Sequence, residues 1–487
     1  MKQSPNEIVV SFISTANFYK MIHSKQLIVS LLAMAITAAS LGQSEEQTIS
    51  DQMLYSRSVE AVVWAMPILN FKTFRDGHAA LGVGLNDIAY HSKIQDWKFQ
   101  TATPNNTTPY VNFFWNIEDG PIVVEMPPSA DGVGIFGTLM DAWQRPIDDV
   151  GAMGRDKGNG GKYVLVSKGY QGELLPNSYV YEQRTNNGFA ILRAIIPDAS
   201  QENLDKAAEF AKLIKVYPLA QADNPPASKY VDIYGKLMEG TPVLDETIFA
   251  EIHEIIQEEV VEEQNFAMMG LLKNIGIQKG KAFEPDSKTR SIYASAAPDA
   301  LEYMIEQYHR NLNPLMYEGK KWSVLIPPGV VETDFSYEFP SYFDYHARGC
   351  AYYAIISSVK NYGSATFYLD IAETSDGQWL DGGENYKMVV PANVPVNDFW
   401  AVTTYDLETA SYIRDMPKSS IDSSQDLKKN RDGSVTVYFG PKAPRGKEAN
   451  WIPTAEGRRF FLLFRFYGPQ QGVYDGSWEL NDVEYMD

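Results

Sequence analysis

The sequence predicts an α+β protein with two antiparallel β-rich domains, sandwich- or barrel-like, and a helical region between them. Three observations lead there. The chain has 487 residues, 44% of them hydrophobic, which exceeds one ordinary core at about 150 residues per domain. Short strand-like runs separated by turn residues fill two distant stretches, whereas the stretch between them has helical periodicity. Aromatics make up 13% of the chain, including 29 Tyr and 9 Trp, a composition suited to sheets and to concave sites that grip rings or sugars.

Taken in order, Ser50 and Asp51 are placed to cap a helix through Val59, Val62, Val63 and Met66 that is expected to end at Pro67. From Tyr110 the pattern predicts strands at Val111–Trp115, Ile122–Met126, Gly134–Met140, Tyr163–Ser167, Tyr179–Gln183 and Phe189–Ile196. Asp119-Gly120-Pro121, Asp131-Gly132 and Asn187-Gly188 supply the breaks. Helical spacing follows at Glu202–Ile214, in the acidic run Glu246–Leu272 and at Ala300–Arg310, and Pro327-Pro328-Gly329 reads as a boundary or bend. Strands return at Thr366–Ile371, Tyr386–Val390, Phe399–Tyr405, Ser434–Phe439 and Arg459–Tyr467, with turns at Asp376-Gly377, Asp381-Gly382-Gly383 and Asp432-Gly433. The expected division is a β-rich domain over 50–200, a helical region over 201–330 and a second β-rich domain over 331–487.

Before this lies a secretory-type segment. Lys25 precedes the apolar run Leu27–Ala39, and small residues through Gly42 follow, then the polar, acidic Gln43–Gln47. The run is too short to cross a bilayer of about 30 Å. It predicts a signal peptide over residues 1–43, with Met21 as the expected true start, and hence a periplasmic or secreted protein. The 42 Lys and Arg against 62 Asp and Glu give a net charge of −20. Lys2, Lys20 and Lys25 against Glu7 leave +2 on the first 43 residues, so the remainder carries −22. That surface repels phosphate backbones and anionic lipid, so neither nucleic acid nor a membrane surface is an expected partner. No other stretch holds 18 uninterrupted apolar residues, so the mature protein is expected to contain no membrane span. Cys350 is the one cysteine, so no internal disulfide can form; it reads as a small buried apolar residue. Oligomeric state is left open.

Three stretches carry a resemblance in the N-terminal half: Thr103-Pro104-Asn105-Asn106-Thr107-Thr108-Pro109-Tyr110, Leu139-Met140-Asp141-Ala142-Trp143 and Gly158-Asn159-Gly160-Gly161-Lys162-Tyr163. Together they resemble the domain of unknown function numbered twelve-fifty-four. Its usual C-terminal partner, numbered twelve-fourteen, is resembled by Leu380-Asp381-Gly382 with Tyr386, Pro395-Val396 with Phe399-Trp400, Tyr405-Asp406, Lys447 to Pro453, Phe464-Arg465-Phe466-Tyr467 and Asp475-Gly476-Ser477-Trp478. The likeness spans roughly Phe71 to Trp478. It implies a bacterial exported protein with two β-rich domains plus helices, and it implies no activity. Thr107-Thr108-Pro109 departs from the acidic or small residue and Leu that many relatives carry before the Tyr, and Pro109 fixes its own φ and lacks a donor.

Familiar catalytic signatures are missing. No Gly-x-Ser-x-Gly elbow occurs. Gly161-Lys162 has Asp156 where a phosphate loop needs its first Gly and Tyr163 where it needs Ser or Thr. His253-Glu254 opens like a zinc-protease helix, but Gln257 stands where the second His belongs. The six histidines, His23, His78, His91, His253, His309 and His346, form no tight metal pair, and neither a metal nor a cofactor is expected. The Asp148–Asp156 loop offers carboxylates for calcium without the alternate spacing of a calcium loop.

Two clusters remain. Asn105, Asn106, Tyr110, Asp141, Trp143, Arg145, Asp148, Asp149, Arg155 and Asp156 combine amide, hydroxyl and carboxylate groups with a flat aromatic face. Trp400, Tyr405, Asp406, Arg414, Glu448, Asn450 and Trp451 do the same near the C-terminus. One reading is a cofactor-independent hydrolase acting on a polar or saccharide-like substrate in an inter-domain cleft. Asp141 and Asp406 would then serve as acid and base, and Asn105, Asn106, Tyr110, Trp143, Tyr405, Trp400 and Asn450 would bind substrate. The other is a non-catalytic protein that binds a small molecule, a saccharide or an envelope partner. Alongside both stands a structural reading, in which the Asn and Asp residues hold turns and the Trp residues fill cores.

Overall fold

The computed structural model describes residues 48–327, 329–356, 360 and 366–486; the signal-like segment over 1–43 lies outside them. Alternation along the strands sets the architecture, because successive side chains point to opposite faces. Val111, Phe113 and Trp115 face inward from Tyr110–Asn116, as do Ala190, Leu192 and Ala194 from Asn187–Ile195 and Ile135 and Leu139 from Gly134–Asp141. These strands form the centre of a six-stranded sheet in the order Tyr230–Asp232, Ile88–Tyr90, Tyr110–Asn116, Asn187–Ile195, Gly134–Asp141, Pro146–Gly151. A four-stranded sheet, Lys215–Pro218, Ile122–Met126, Gly161–Ser167, Tyr179–Gln183, packs Ile122, Val124, Tyr163, Leu165 and Val216 against it. Helix Gln201–Ala211, capped by the Ser200 hydroxyl, completes this core with Ala207, Phe210 and Ala211.

A second sandwich repeats the logic. Its five-stranded sheet runs Ser323–Val324, Thr366–Ile371, Phe460–Tyr467, Trp400–Asp406, Ser420–Asp422, antiparallel throughout. The inner face carries Leu369, Ile371, Trp400, Val402, Leu462, Phe464 and Phe466. Opposite lie Tyr386, Met388, Val390, Val437, Phe439 and Ile452 of a four-stranded sheet, Trp451–Pro453, Val435–Gly440, Tyr386–Val390, Glu484–Tyr485. The first sandwich takes strand Lys215–Pro218 from beyond residue 200, and the second takes Ser323–Val324 from before residue 331. Both belong to one unit, Tyr55–Asp487.

Several elements differ from the sequence expectation, among them the Asn187-Gly188 break, which opens strand Asn187–Ile195. The first helix, Ile49–Ala80, continues through Pro67. Proline removes the donor that would reach the Val63 carbonyl and costs about 3 kcal/mol in a helix interior, but Ala61 to Phe71 are buried almost completely, and that burial outweighs the loss. Gly349 fits against the freed Val63 carbonyl, where any Cβ would collide with the oxygen. The acidic run Glu246–Leu272 divides into helices Ile248–Glu258 and Phe266–Asn274. The break falls at Glu259, whose backbone is extended and whose carboxylate accepts N–H bonds from Asn186 (2.7 Å) and Asn187 (3.0 Å) of the first sandwich. Helix Tyr345–Ala354 has no counterpart in the sequence reading; it buries nearly every residue from Ala347 to Ala354, so it lacks the one-sided periodicity that reveals a surface helix. Ala300–Arg310 lies partly in helix Ser287–Glu306, capped by Asp286, and ends in a π-helical turn, Gln307–Leu312. Among the described residues no helix is long and apolar enough to cross a membrane.

Candidate functional site

The outer face of each large sheet turns away from its own core. On the first sandwich Phe114 and Phe189 pack under Phe71 and Phe74 of the long helix. Beyond that cover the same face presents Tyr110, Phe136, Thr138, Ile191 and Arg193, and the second sandwich presents Tyr368, Leu463 and Arg465. Between them is a cavity of about 170 Å³. Phe74, Phe99 and Ala102 line it from the N-terminal side, and Phe335, Tyr337 and Tyr352 from the segments joining the sandwiches. Gly137 lets its strand lie close against Asn187–Ile195 in the cavity wall, since a Cβ there would strike the Ile191 carbonyl. Thr103, Phe335 and Tyr337 hold left-handed backbone at φ of 41°, 56° and 59°. For a tyrosine or phenylalanine that conformation costs on the order of 1 kcal/mol or more, and strained residues cluster at functional sites.

Two arginines supply the polar end. Register places Arg193 directly across from Tyr110, and Arg465 directly across from Tyr368. Arg193 lies over the Tyr110 ring at 5.8 Å and interacts electrostatically with the Tyr368 hydroxyl. The Arg465 guanidinium donates to Thr403 Oγ1 (2.8 Å) and Tyr405 Oη (2.6 Å), and Tyr405 passes its own hydrogen to the Pro104 carbonyl (2.6 Å). Among the described residues Arg465 Nε has no partner and no carboxylate pairs with either arginine. The internal stretches outside the description, 357–359 and 361–365, hold no acidic residue in their sequence. Tyr368 reports the resulting field. Burial pushes its phenol up, but Arg193 and Arg465 outweigh that and hold it below the ordinary range. Tyr405, with burial as the leading cause, is pushed up to about 12.

Four residues expected from the sequence meet at this seam. Asn105 donates its backbone N–H to Tyr110 Oη (3.0 Å) and its amide to Tyr467 Oη (3.2 Å), while its carbonyl oxygen accepts from Thr107 N (2.8 Å). Asn106 reaches Ser420 Oγ (2.6 Å) and Tyr405 reaches Pro104, so the 103–108 loop is stitched to the second sandwich. Tyr110 lines the cavity; Asn105, Asn106 and Tyr405 sit behind its wall.

The other expected site residues lie elsewhere. Asp141 closes a tight turn, pairing with Arg145 Nε (2.6 Å) beside Glu262 and Glu338; it borders an open cleft of about 280 Å³ on the first sandwich. Trp143 packs on Trp64 at 5.0 Å and under Arg348. Asp406 holds the turn at Glu408 and Thr409 and pairs with Arg458 (2.6 Å). Trp400 stacks on Phe464 inside the second core. Asn450 clamps Lys428 and Thr436 through backbone bonds. Asp141 and Asp406 thus share no cavity, and each is already neutralised by an arginine. Loop building also absorbs the Asp148–Asp156 segment: Asp148 accepts from Tyr181, Asp149 from Thr138, and Asp156 from Gly151, Gly160 and Tyr163. His78 and His91 are buried among Phe74, Phe99 and Phe114, and burial pushes the Cys350 thiol up to about 12. Among the described residues no group of three His, Cys, Asp or Glu is arranged to hold a metal.

Arg193 and Arg465 were not singled out by the sequence reading, although a signal was present. Each is a lone charge inside a strand apolar on both faces, Phe189-Ala190-Ile191-Leu192-Arg193-Ala194 and Phe460-Phe461-Leu462-Leu463-Phe464-Arg465-Phe466. A buried charge without a partner in its own strand needs one from elsewhere.

The family described as "Protein of unknown function (DUF1254)" matches residues 85–218, and that described as "Protein of unknown function (DUF1214)" matches residues 365–471. No curated protein matches the chain. The fold is similar to that of the VPA0106 protein from Vibrio parahaemolyticus, at a TM-score of 0.52 and 17% identity over 89% of this chain and 100% of that one. An uncharacterised protein from Burkholderia cenocepacia aligns with a TM-score of 0.40 and 13% identity over 89% of this chain and 94% of that one. The cavity walls come from both matched regions, Tyr110, Phe136 and Arg193 from the first and Tyr368 and Arg465 from the second. The chain belongs to the family that joins an N-terminal DUF1254 domain to a C-terminal DUF1214 domain.

Proposed function

We propose that the protein binds a small amphipathic organic molecule in the cavity between its two sandwiches. The observation that carries this reading is the composition of that cavity: aromatic and aliphatic walls drawn from both domains, with Arg193, Arg465 and Tyr368 among the lining residues. Ligand sites are typically concave, mostly apolar and fitted with few polar groups. A volume of about 170 Å³ suits a ligand of one ring or a short chain, since a cavity of about 150 Å³ accommodates benzene. Binding is favoured over hydrolysis through Asp141 and Asp406, because both carboxylates are committed to arginines and turns. A thermal-shift screen of compounds with up to about ten heavy atoms tests it. Stabilisation that disappears in Ile191→Phe, which fills the cavity, is expected; stabilisation unchanged by that substitution refutes this location.

Export is part of the same proposal, supported by Lys25, the apolar run Leu27–Ala39 and the small residues through Gly42. N-terminal sequencing of the protein recovered outside the cytoplasm should begin near Gln43; an uncleaved chain retained in the cytoplasm contradicts it.

A further inference from the structure

We infer that the ligand is a small monocarboxylate whose carboxylate is held by Arg193 and Arg465 at the polar end of the cavity. This rests on the binding reading above and sharpens it to a chemical class. The argument is one of charge and donor balance. Arg465 is 3% exposed and Arg193 is half-buried, and both arginines line the cavity without a carboxylate partner among the described residues. Buried charges in proteins are paired, because an uncompensated one loses its hydration with nothing in return. The tyrosines around them compensate only in part. Arg193 has the face of Tyr110 and the neighbouring Tyr368 hydroxyl, and Arg465 has the hydroxyls of Thr403 and Tyr405 and the faces of Tyr368 and Tyr405. Even with Tyr368 ionised, two guanidinium groups facing one phenolate leave a positive charge.

The partner is therefore an anion, and the walls specify which kind. Phe74, Phe99, Phe136, Ile191 and Leu463 offer nothing to a fully hydrated inorganic ion. They suit an apolar body attached to the charged head. Planar guanidinium groups match carboxylate geometry. The volume limits the body to about the size of a ring.

Calorimetric titration of the full mature chain tests this with four probes: benzoate, hexanoate, the neutral isostere benzamide, and inorganic phosphate. The expected result is that benzoate or hexanoate binds, that benzamide binds at least about tenfold more weakly, and that phosphate does not compete. Arg193→Gln should abolish carboxylate binding, and Arg193→Lys, which keeps the charge but not the fork, should weaken it. The wild-type comparison of benzoate with benzamide stands even if a variant fails to fold. Benzamide binding as tightly as benzoate overturns the carboxylate assignment and leaves the cavity reading intact. Phosphate binding in place of both carboxylates also overturns the assignment. Failure of every probe to bind overturns the assignment and the binding reading together.

Discussion

Arg145→Met is expected to destabilise the protein far more than Asp141→Asn, and the difference follows from who is left without a partner. Arg145 has a side chain 7% exposed and contacts Asp141 (2.6 Å), Glu262 (2.8 Å) and Glu338 (3.3 Å). Removing it strands Asp141, whose side chain is 4% exposed, whereas Glu262 retains Arg184 at 2.5 Å. Breaking a buried pair in this way costs about 3–5 kcal/mol. Asp141→Asn leaves Arg145 two carboxylates, and the new amide oxygen can still accept from Arg145 N (3.0 Å), so the loss is about 1–2 kcal/mol. The unit Tyr55–Asp487 has an unfolding entropy of roughly 0.9 kcal/mol per degree if it melts cooperatively. The melting temperature should then fall by about 3–5 °C for Arg145→Met and about 1–2 °C for Asp141→Asn, measured by calorimetry at neutral pH and low salt. The double variant should fall by less than the sum, since the two groups are coupled. Equal effects, or an Asp141→Asn protein as stable as the parent that has lost an activity, would refute the structural role and restore Asp141 as a substrate-facing carboxylate.

Two further predictions concern pH. Burial pushes Glu259 up to about 7 against an ordinary value of 4.5, so between those values the folded state holds a proton that the unfolded state has released. Stability from this group is complete below about pH 4.5 and falls by about 3 kcal/mol as pH rises through 7; Glu259→Gln should flatten that decline in a series of melts from pH 5 to 8, and an unchanged slope contradicts the assignment. His91 has the opposite sign. Burial lowers it to about 3 from 6.5, and both ring nitrogens lack partners among the described residues, so its contribution is present above about pH 6.5 and is lost as pH falls toward 3. His91→Leu should resist acid unfolding better than the parent, and equal acid midpoints would count against it.

Much of the fold was legible because strand alternation and turn chemistry act locally. Ile122–Met126 and Tyr386–Val390 have the bounds that their apolar runs imply. Elements whose limits depend on distant partners were not. Pro67 ends a helix by local rules, and only the burial around it and the approach of Gly349 let the helix continue. The acidic run breaks at Glu259 because Asn186 and Asn187, over 70 positions away, draw the carboxylate inward. The site divides the same way. Asn105, Asn106, Tyr110 and Tyr405 were recognisable as polar and aromatic groups placed near turns and strand ends, and they do meet at the seam. Asp141 and Asp406 looked available for chemistry because the groups that commit them are set by distant loops: Asp141 pairs with Arg145, which Glu262 and Glu338 hold in place, and Asp406 pairs with Arg458. The cavity arginines are visible in sequence as lone charges in apolar strands, but only the facing of two sheets shows that they converge.

The central claim is that the space between the sandwiches is a carboxylate site, and a crystal structure of the full mature protein grown with benzoate tests it most directly. The account predicts density for the ring among Phe74, Phe136 and Ile191, with the carboxylate oxygens within about 3 Å of the Arg193 and Arg465 guanidinium groups. Benzoate bound elsewhere, or bound in the cavity with its carboxylate turned away from both arginines, would contradict it.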